Sequence, residues 1–298
     1  FYERYLATHP EEATQLGEHR FDRKSIDASA AGVAADRKLY RKTLDVLQAI
    51  PASSLPPDHA VDREILVNDL RARLFDVEVM KTYTWQVTDY SGTEGVYVLL
   101  ARDFAPIKDR LAAAKLRLEA IPRLVAAAKQ NLQRPPRVFT ETAIAQNKGA
   151  ISFVQDDLDD FIKQAPAMKA ALAPARARAA AALKDYGVWL EKVLLPRSDG
   201  DFRFGKAHFE QRLKFSLDSD LSADEILARA EADLKATQAQ MEQVALPLYK
   251  RWFPDKPVDG VDGHVIVRAV LDKIADTHPD NDTIVAEARD DLDKATAF

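Results

Sequence analysis

Cysteine is absent from this chain of 298 residues. That excludes disulfides and thiol chemistry, and it removes half of the usual zinc-ligand repertoire. No His is followed by Glu, so the paired His-Glu core of common zinc hydrolase motifs is missing. There is no Gly-rich phosphate loop, no Gly-x-Ser-x-Gly, and no Ser-x-x-Lys with supporting motifs, which leaves nucleotide-hydrolase, serine-hydrolase and lactamase readings without support. No apolar run approaches the roughly 20 residues that span a bilayer, so no membrane span is expected. A surplus of positive charge is lacking too. The net charge is -5 with both signs interleaved, which argues against nucleic acid as a partner.

What is present favours helix. Glycine numbers only 10, and long stretches of Ala, Leu, Lys, Arg and Glu lose little rotamer freedom in a helix. Prolines supply most of the punctuation. Thr8-His9-Pro10-Glu11-Glu12 has the form of a helix start, with an N-cap, an early Pro and acids at the positive end of the dipole. Helices are predicted over about 30–50, from Pro56 onward, from Pro106 with a bend or restart at Pro122, over 139–164, and over 168–195. The last of these is Ala-rich enough to let a neighbour approach closely. Ser222 and Glu225 form a capping box that opens a helix to about Arg251, and two shorter helices follow at 265–275 and 282–297. No internal repeat and no linker composition appears. The expectation is an all-α chain, an irregular multi-helix bundle over 1–298 as a single helical domain. The helical pattern fails at one place, near 84–95, where a short non-helical or strand segment is expected.

Two stretches carry candidate binding groups. Trp85, Tyr90 and Tyr97, with Thr88 and Asp89 among them, are suitable lining for a ligand cleft, or equally a seal over a helix junction. The block from Phe202 to Phe209 holds Arg203, Lys206 and His208 close together. These could receive a carboxylate or phosphate. The plainer reading is a turn whose phenylalanines pack while its charges face water. Asp156, Asp157, Asp159 and Asp160 fan out at about 100° per residue on a helix, so they suit a solvated face better than a cation site. His264 and His278 stand fourteen apart, far from the i, i+4 spacing of a helical zinc pair. No catalytic and no metal-ligating residue is assigned.

Four stretches together resemble a known family. They are Tyr5 to Gly17, Leu99 to Pro106 with the helices after it, Asn131-Leu132 and Pro135-Pro136 leading to Glu141 and Ile144, and Phe202 to Phe209 with the helix capped at Ser222. Their order resembles the bacterial family catalogued as domain of unknown function 885 (DUF885), and the resemblance covers the N-terminal portion of its pattern. It implies a mostly helical, cleft-shaped, zinc-metallopeptidase-like protein in which this chain forms one wall of the cleft. The family's metal motif, a His-Glu pair with a following Pro-Gly-His, lies in its C-terminal half, so zinc is expected only in the full-length protein and the chain is expected to be inactive alone. The implied partners are that missing C-terminal catalytic half and a peptide substrate. Relatives are often exported or lipoprotein-like, which fits an opening, Phe1 to Leu6, that reads as the middle of a helix from which a leader has been removed. The alternative is a self-contained helical binding or scaffold protein of the bacterial envelope. A large exposed apolar patch near the C-terminal helices would count against that alternative.

Overall fold

The computed structural model describes all residues, 1–298. It is all-α, and the only β-type pairing is a single bridge between Pro136 and Gly200. Its residues fall into two compact units, Phe1–Ser219 and Asp220–Phe298.

The first unit contains α1 (Tyr2–Thr8), α2 (Pro10–Gln15), α3 (Ala30–Gln48), α4 (Pro57–Phe75), α5 (Glu94–Ala101), α6 (Ile107–Asn131), α7 (Arg137–Ser152), α8 (Leu158–Lys163), α9 (Lys169–Trp189) and α10 (Lys206–Leu217). Proline placement explains many of the starts. Pro10 and Pro57 occupy first-turn positions, where a missing N–H costs nothing, and Pro106 and Pro136 immediately precede α6 and α7. Pro122 lies inside α6, which runs on to Asn131 without restarting. Single π-turns at Phe153–Asp157 and Leu190–Leu194 extend α7 and α9, so the long helices predicted over 139–164 and 168–195 are realised with a local widening in each.

The main core lies between α5, α6, α7 and α9. Leu111, Leu118, Ile121, Val125, Val154, Leu158, Leu172, Leu183, Leu190 and Leu194 are all buried there, each fully buried Leu contributing about 1.5–3 kcal/mol. α6 and α9 pack extensively on each other, and both carry buried alanines: Ala113, Ala114 and Ala128 on one, Ala175, Ala179 and Ala180 on the other. Small side chains of this kind permit the close approach expected of the Ala-rich sequence. A second cluster joins α1, α3 and α4 through Tyr5, Tyr40, Leu44, Val67, Leu70 and Leu74.

The second unit contains α11 (Ala223–Trp252), α12 (Gly263–Ala275) and α13 (Ile284–Ala297). Both halves of the capping box form at the start of α11: the Ser222 hydroxyl accepts from the Glu225 N–H and the Glu225 carboxylate accepts from the Ser222 N–H. Its core is small, made of Ala245, Tyr249, Ile266 and Val270 where α11 meets α12. Leu227, Leu234 and Val244 of α11 and Ile284, Val285 and Leu292 of α13 are each more than half exposed.

Candidate functional site

The segment predicted as the break in the helical pattern folds into two 3₁₀ turns, Thr82–Thr84 and Val87–Tyr90, with no strand. It walls two clefts. Thr84 and Trp85 face one; Asp89, Ser91 and Gly92 face the other.

The larger cleft has a volume of about 720 Å³. Its carboxylates are Glu11 and Glu12 from the first turn of α2, Asp89, and Glu94 from the first turn of α5. Its apolar wall is Leu16, Ile26, Ile121 and Leu124. Glu11 accepts from the Ile26 N–H at 3.1 Å, Glu12 accepts from the Tyr5 hydroxyl, and Glu94 accepts from Gln15 at 3.4 Å. The Asp89 carboxylate has neither a hydrogen-bond donor nor a cation paired with it. Although open to solvent, Asp89 is crowded by the cleft wall. Loss of hydration holds its carboxyl above the usual range, and the Asp76 carboxylate adds to the effect. Near the rim His9 meets Asp36 at 3.3 Å and stacks on Tyr5.

The floor of this cleft is Arg117, 2% exposed. Its guanidinium donates to the carbonyls of Lys24 (3.2 Å), Gly95 (2.5 Å) and Pro10 (3.0 Å) and to the Thr14 hydroxyl (2.6 Å). Thr14 in turn donates to Asp22 at 2.6 Å. One buried cation on α6 thus ties down α2, the loop after it and α5. A Cβ at Gly95 would lie 2.6 Å from the Glu11 side chain, so the close approach of α2 and α5 requires glycine there. Against this one cation the cleft sets four carboxylates, Glu11, Glu12, Asp89 and Glu94, so it keeps a surplus of negative charge.

The smaller cleft, about 300 Å³, is built by the Phe202–Phe209 block against Trp85. The Trp85 indole N–H donates to the Met80 carbonyl at 2.8 Å, and the ring stacks on Phe139. Phe202, Phe204 and His208 form the opposite side. Gly200 passes so close to Arg134 that a Cβ would lie 2.4 Å from its carbonyl oxygen, and this contact seats the block against the start of α7.

The structure thus brings two of the residues singled out in the sequence, Trp85 and His208, into one cleft. Arg203 lies just outside it, over the Phe202 ring and 3.7 Å from Asp201. Lys206 lies along α10 with Glu210 at 3.7 Å. Tyr90 is turned into the core, where its hydroxyl donates to the Tyr83 carbonyl and accepts from Asn131. Tyr97 is half exposed on α5, edge-on to Phe153, and lines neither cleft.

No group of three or more His, Asp or Glu side chains converges anywhere, so the residues of this chain do not fit a zinc site. Within the Asp156–Asp160 run, Asp159 pairs with Arg176 and Asp160 with Lys163, as suits a solvated helix face. No helix is long and apolar enough to cross a membrane.

Glu11, Glu12, Glu94 and Arg117 are not among the residues that the sequence singles out as a site. The two glutamates of α2 read as ordinary first-turn acids. Arg117 did carry a signal, because it interrupts the apolar stripe of α6 three residues after Ala114 and one before Leu118, where a charge must find buried partners.

The family described as bacterial protein of unknown function (DUF885) matches residues 10–298. No curated protein matches the chain. Among solved structures it is similar to a candidate lipoprotein of unknown function from Shewanella oneidensis, with 25% identity and a TM-score of 0.81. That match covers 100% of this chain and 55% of the other, so the chain spans little more than half the length of its solved relative.

Proposed function

The chain belongs to the DUF885 family of bacterial proteins, and from that premise we propose that it supplies the helical N-terminal wall of a substrate cleft in a zinc-metallopeptidase-like hydrolase of the cell envelope. It holds a peptide and is catalytically silent by itself. The observation that carries this reading is the cleft of about 720 Å³ floored by Arg117, in which Glu11, Glu12, Asp89 and Glu94 face an apolar wall. Such a surface suits a chain that offers an ammonium or guanidinium beside apolar side chains. In this reading any zinc is held by residues outside this chain. An exported location draws support from the solved lipoprotein relative.

The exposed apolar residues of α11 and α13 weigh against the alternative of a self-contained binding or scaffold protein. Leu227, Leu234, Val244, Ile284, Val285 and Leu292 are each more than half exposed, and apolar side chains left in water are what a covering partner would bury. In the proposed reading the catalytic half of the longer protein covers them.

The test is calorimetric titration with two short peptides, one with a free N-terminus and a lysine, one acetylated and uncharged. The charged peptide is expected to bind and the neutral one not. Replacing both Asp89→Asn and Glu94→Gln should weaken binding about tenfold, the equivalent of about 1.4 kcal/mol. Equal affinity for both peptides, or none for either, would overturn peptide recognition at this cleft. Zinc-dependent hydrolysis by the chain itself would overturn its catalytic silence.

A further inference from the structure

We propose that the smaller cleft, between Trp85 and the Phe202–His208 turn, is a binding pocket for one neutral aromatic side chain of a peptide. The wall is rigid before any ligand arrives. Trp85 is fixed at its indole nitrogen by the Met80 carbonyl and across its face by Phe139, so little rotamer entropy remains to be lost on binding. The opposing surface is left incomplete. Phe202, with the Arg203 guanidinium over its ring, is still 50% exposed, and another ring would cover that remaining surface well. The volume, about 300 Å³, lies at the bottom of the roughly 300–1,000 Å³ range of ligand pockets, which suits one ring and excludes a large cofactor.

The charges at the rim select a neutral group. Arg134 is held by Asp199 through two of its nitrogens, and Arg203 lies near Asp201. Each cation already faces a carboxylate, which disfavours a carboxylate or phosphate ligand, the class first suggested by Arg203, Lys206 and His208 in the sequence. His208 supplies the directional contact. Its Nδ1–H donates to the Phe204 carbonyl at 2.9 Å, which leaves the lone pair on Nε2 as an acceptor. A peptide N–H beside the bound ring would donate to it.

This inference draws only the peptide origin of the ring from the function proposed above, and its probe carries no charge, so the two succeed or fail separately. The three tryptophans, Trp85, Trp189 and Trp252, give three indole N–H signals in a nitrogen-edited NMR spectrum, assigned by Trp→Phe variants. N-acetylphenylalanine amide is expected to shift the Trp85 signal saturably in the millimolar range while the other two stay put. N-acetylleucine amide should bind roughly fivefold more weakly, and N-acetylglycine amide should leave all three signals in place. Phe202→Ala, at a half-exposed position outside the core, should weaken the phenylalanine probe at least about fivefold, and His208→Ala should weaken it also. No saturable Trp85 shift, equal response to the phenylalanine and leucine probes, or full affinity in both variants would overturn the proposal. Failure of cationic peptides to bind at the carboxylate cleft would leave it untouched.

Discussion

Arg117→Met is the sharpest test of how the larger cleft is held together. The substitution keeps the length of the side chain and removes the guanidinium. Four acceptors lose their donor: the carbonyls of Lys24, Gly95 and Pro10 and the Thr14 hydroxyl. Asp22, 3.9 Å from the guanidinium, loses that charge. Leaving one partner of a buried charged network behind costs about 3–5 kcal/mol. The methionine recovers part of this by burying its thioether chain, worth about 1–2 kcal/mol. The net expectation is a loss of about 3 kcal/mol, a large fraction of the roughly 5–15 kcal/mol that stabilises a typical domain. At about 2–4 °C per kcal/mol for a unit of this size, the melting midpoint should fall by roughly 6–12 °C. Urea unfolding followed by far-UV circular dichroism gives the number directly, with the slope m showing whether the unfolding reaction itself has changed. Arg178→Met is the control. That arginine makes an exposed pair with Glu119, and its loss should leave the midpoint where it was. A loss below about 1 kcal/mol with m unchanged would refute the reasoning, because the carbonyls would then have found water at no cost.

Three further outcomes follow from the same geometry. Asp89 has a folded carboxyl pKa above its unfolded value, so the folded state takes up a proton first on acidification and ionised Asp89 is a net cost at neutral pH. Asp89→Asn should therefore raise the urea midpoint at pH 7, and the gain should shrink to nothing as pH falls to the ordinary aspartate range near 3.9. Burial, with Asp36 adding to it, pushes the Tyr40 phenol up to about 12. The stability this contributes is complete below about pH 10, where the unfolded tyrosine titrates, and gone by about pH 12. Wild type should thus lose stability across that window more steeply than Tyr40→Phe, as urea midpoints at successive alkaline pH values would show. Ser222→Ala removes the cap of α11 and should cost about 1 kcal/mol, read as faster amide exchange in its first turn.

Much of the helical order is written locally. A proline at or just before a helix start, the apolar spacing of α6 and α9 and the Ser222–Glu225 box each act within a few residues, so the chain states them without any tertiary partner. The boundaries read from sequence consequently fall close to those of α3 and α11 and to the starts of α4 and α7. The π-turns at Phe153 and Leu190 were not legible, since an extra residue in a turn leaves the apolar pattern nearly unchanged. The candidate site was legible only in part. Aromatic and polar residues in the Thr84–Gly92 break suited a cleft lining and a helix-junction seal equally, and the alternation of facing was invisible. Trp85 lines one cleft, Asp89 the other, and Tyr90 points into the core.

Composition and local pattern by themselves determined that this chain is helical, where many of its helices begin, and that no thiol chemistry is open to it, because each of these depends on residue type or on neighbours within one or two turns. Only the tertiary structure decided that Glu11, Asp89 and Glu94 share a cleft over Arg117 while Trp85 meets Phe202 and His208 in another. Those meetings join residues scores of positions apart. They are set by how α2, α5 and α6 pack and by the seating of Gly200 against Arg134, which no periodicity along the chain encodes.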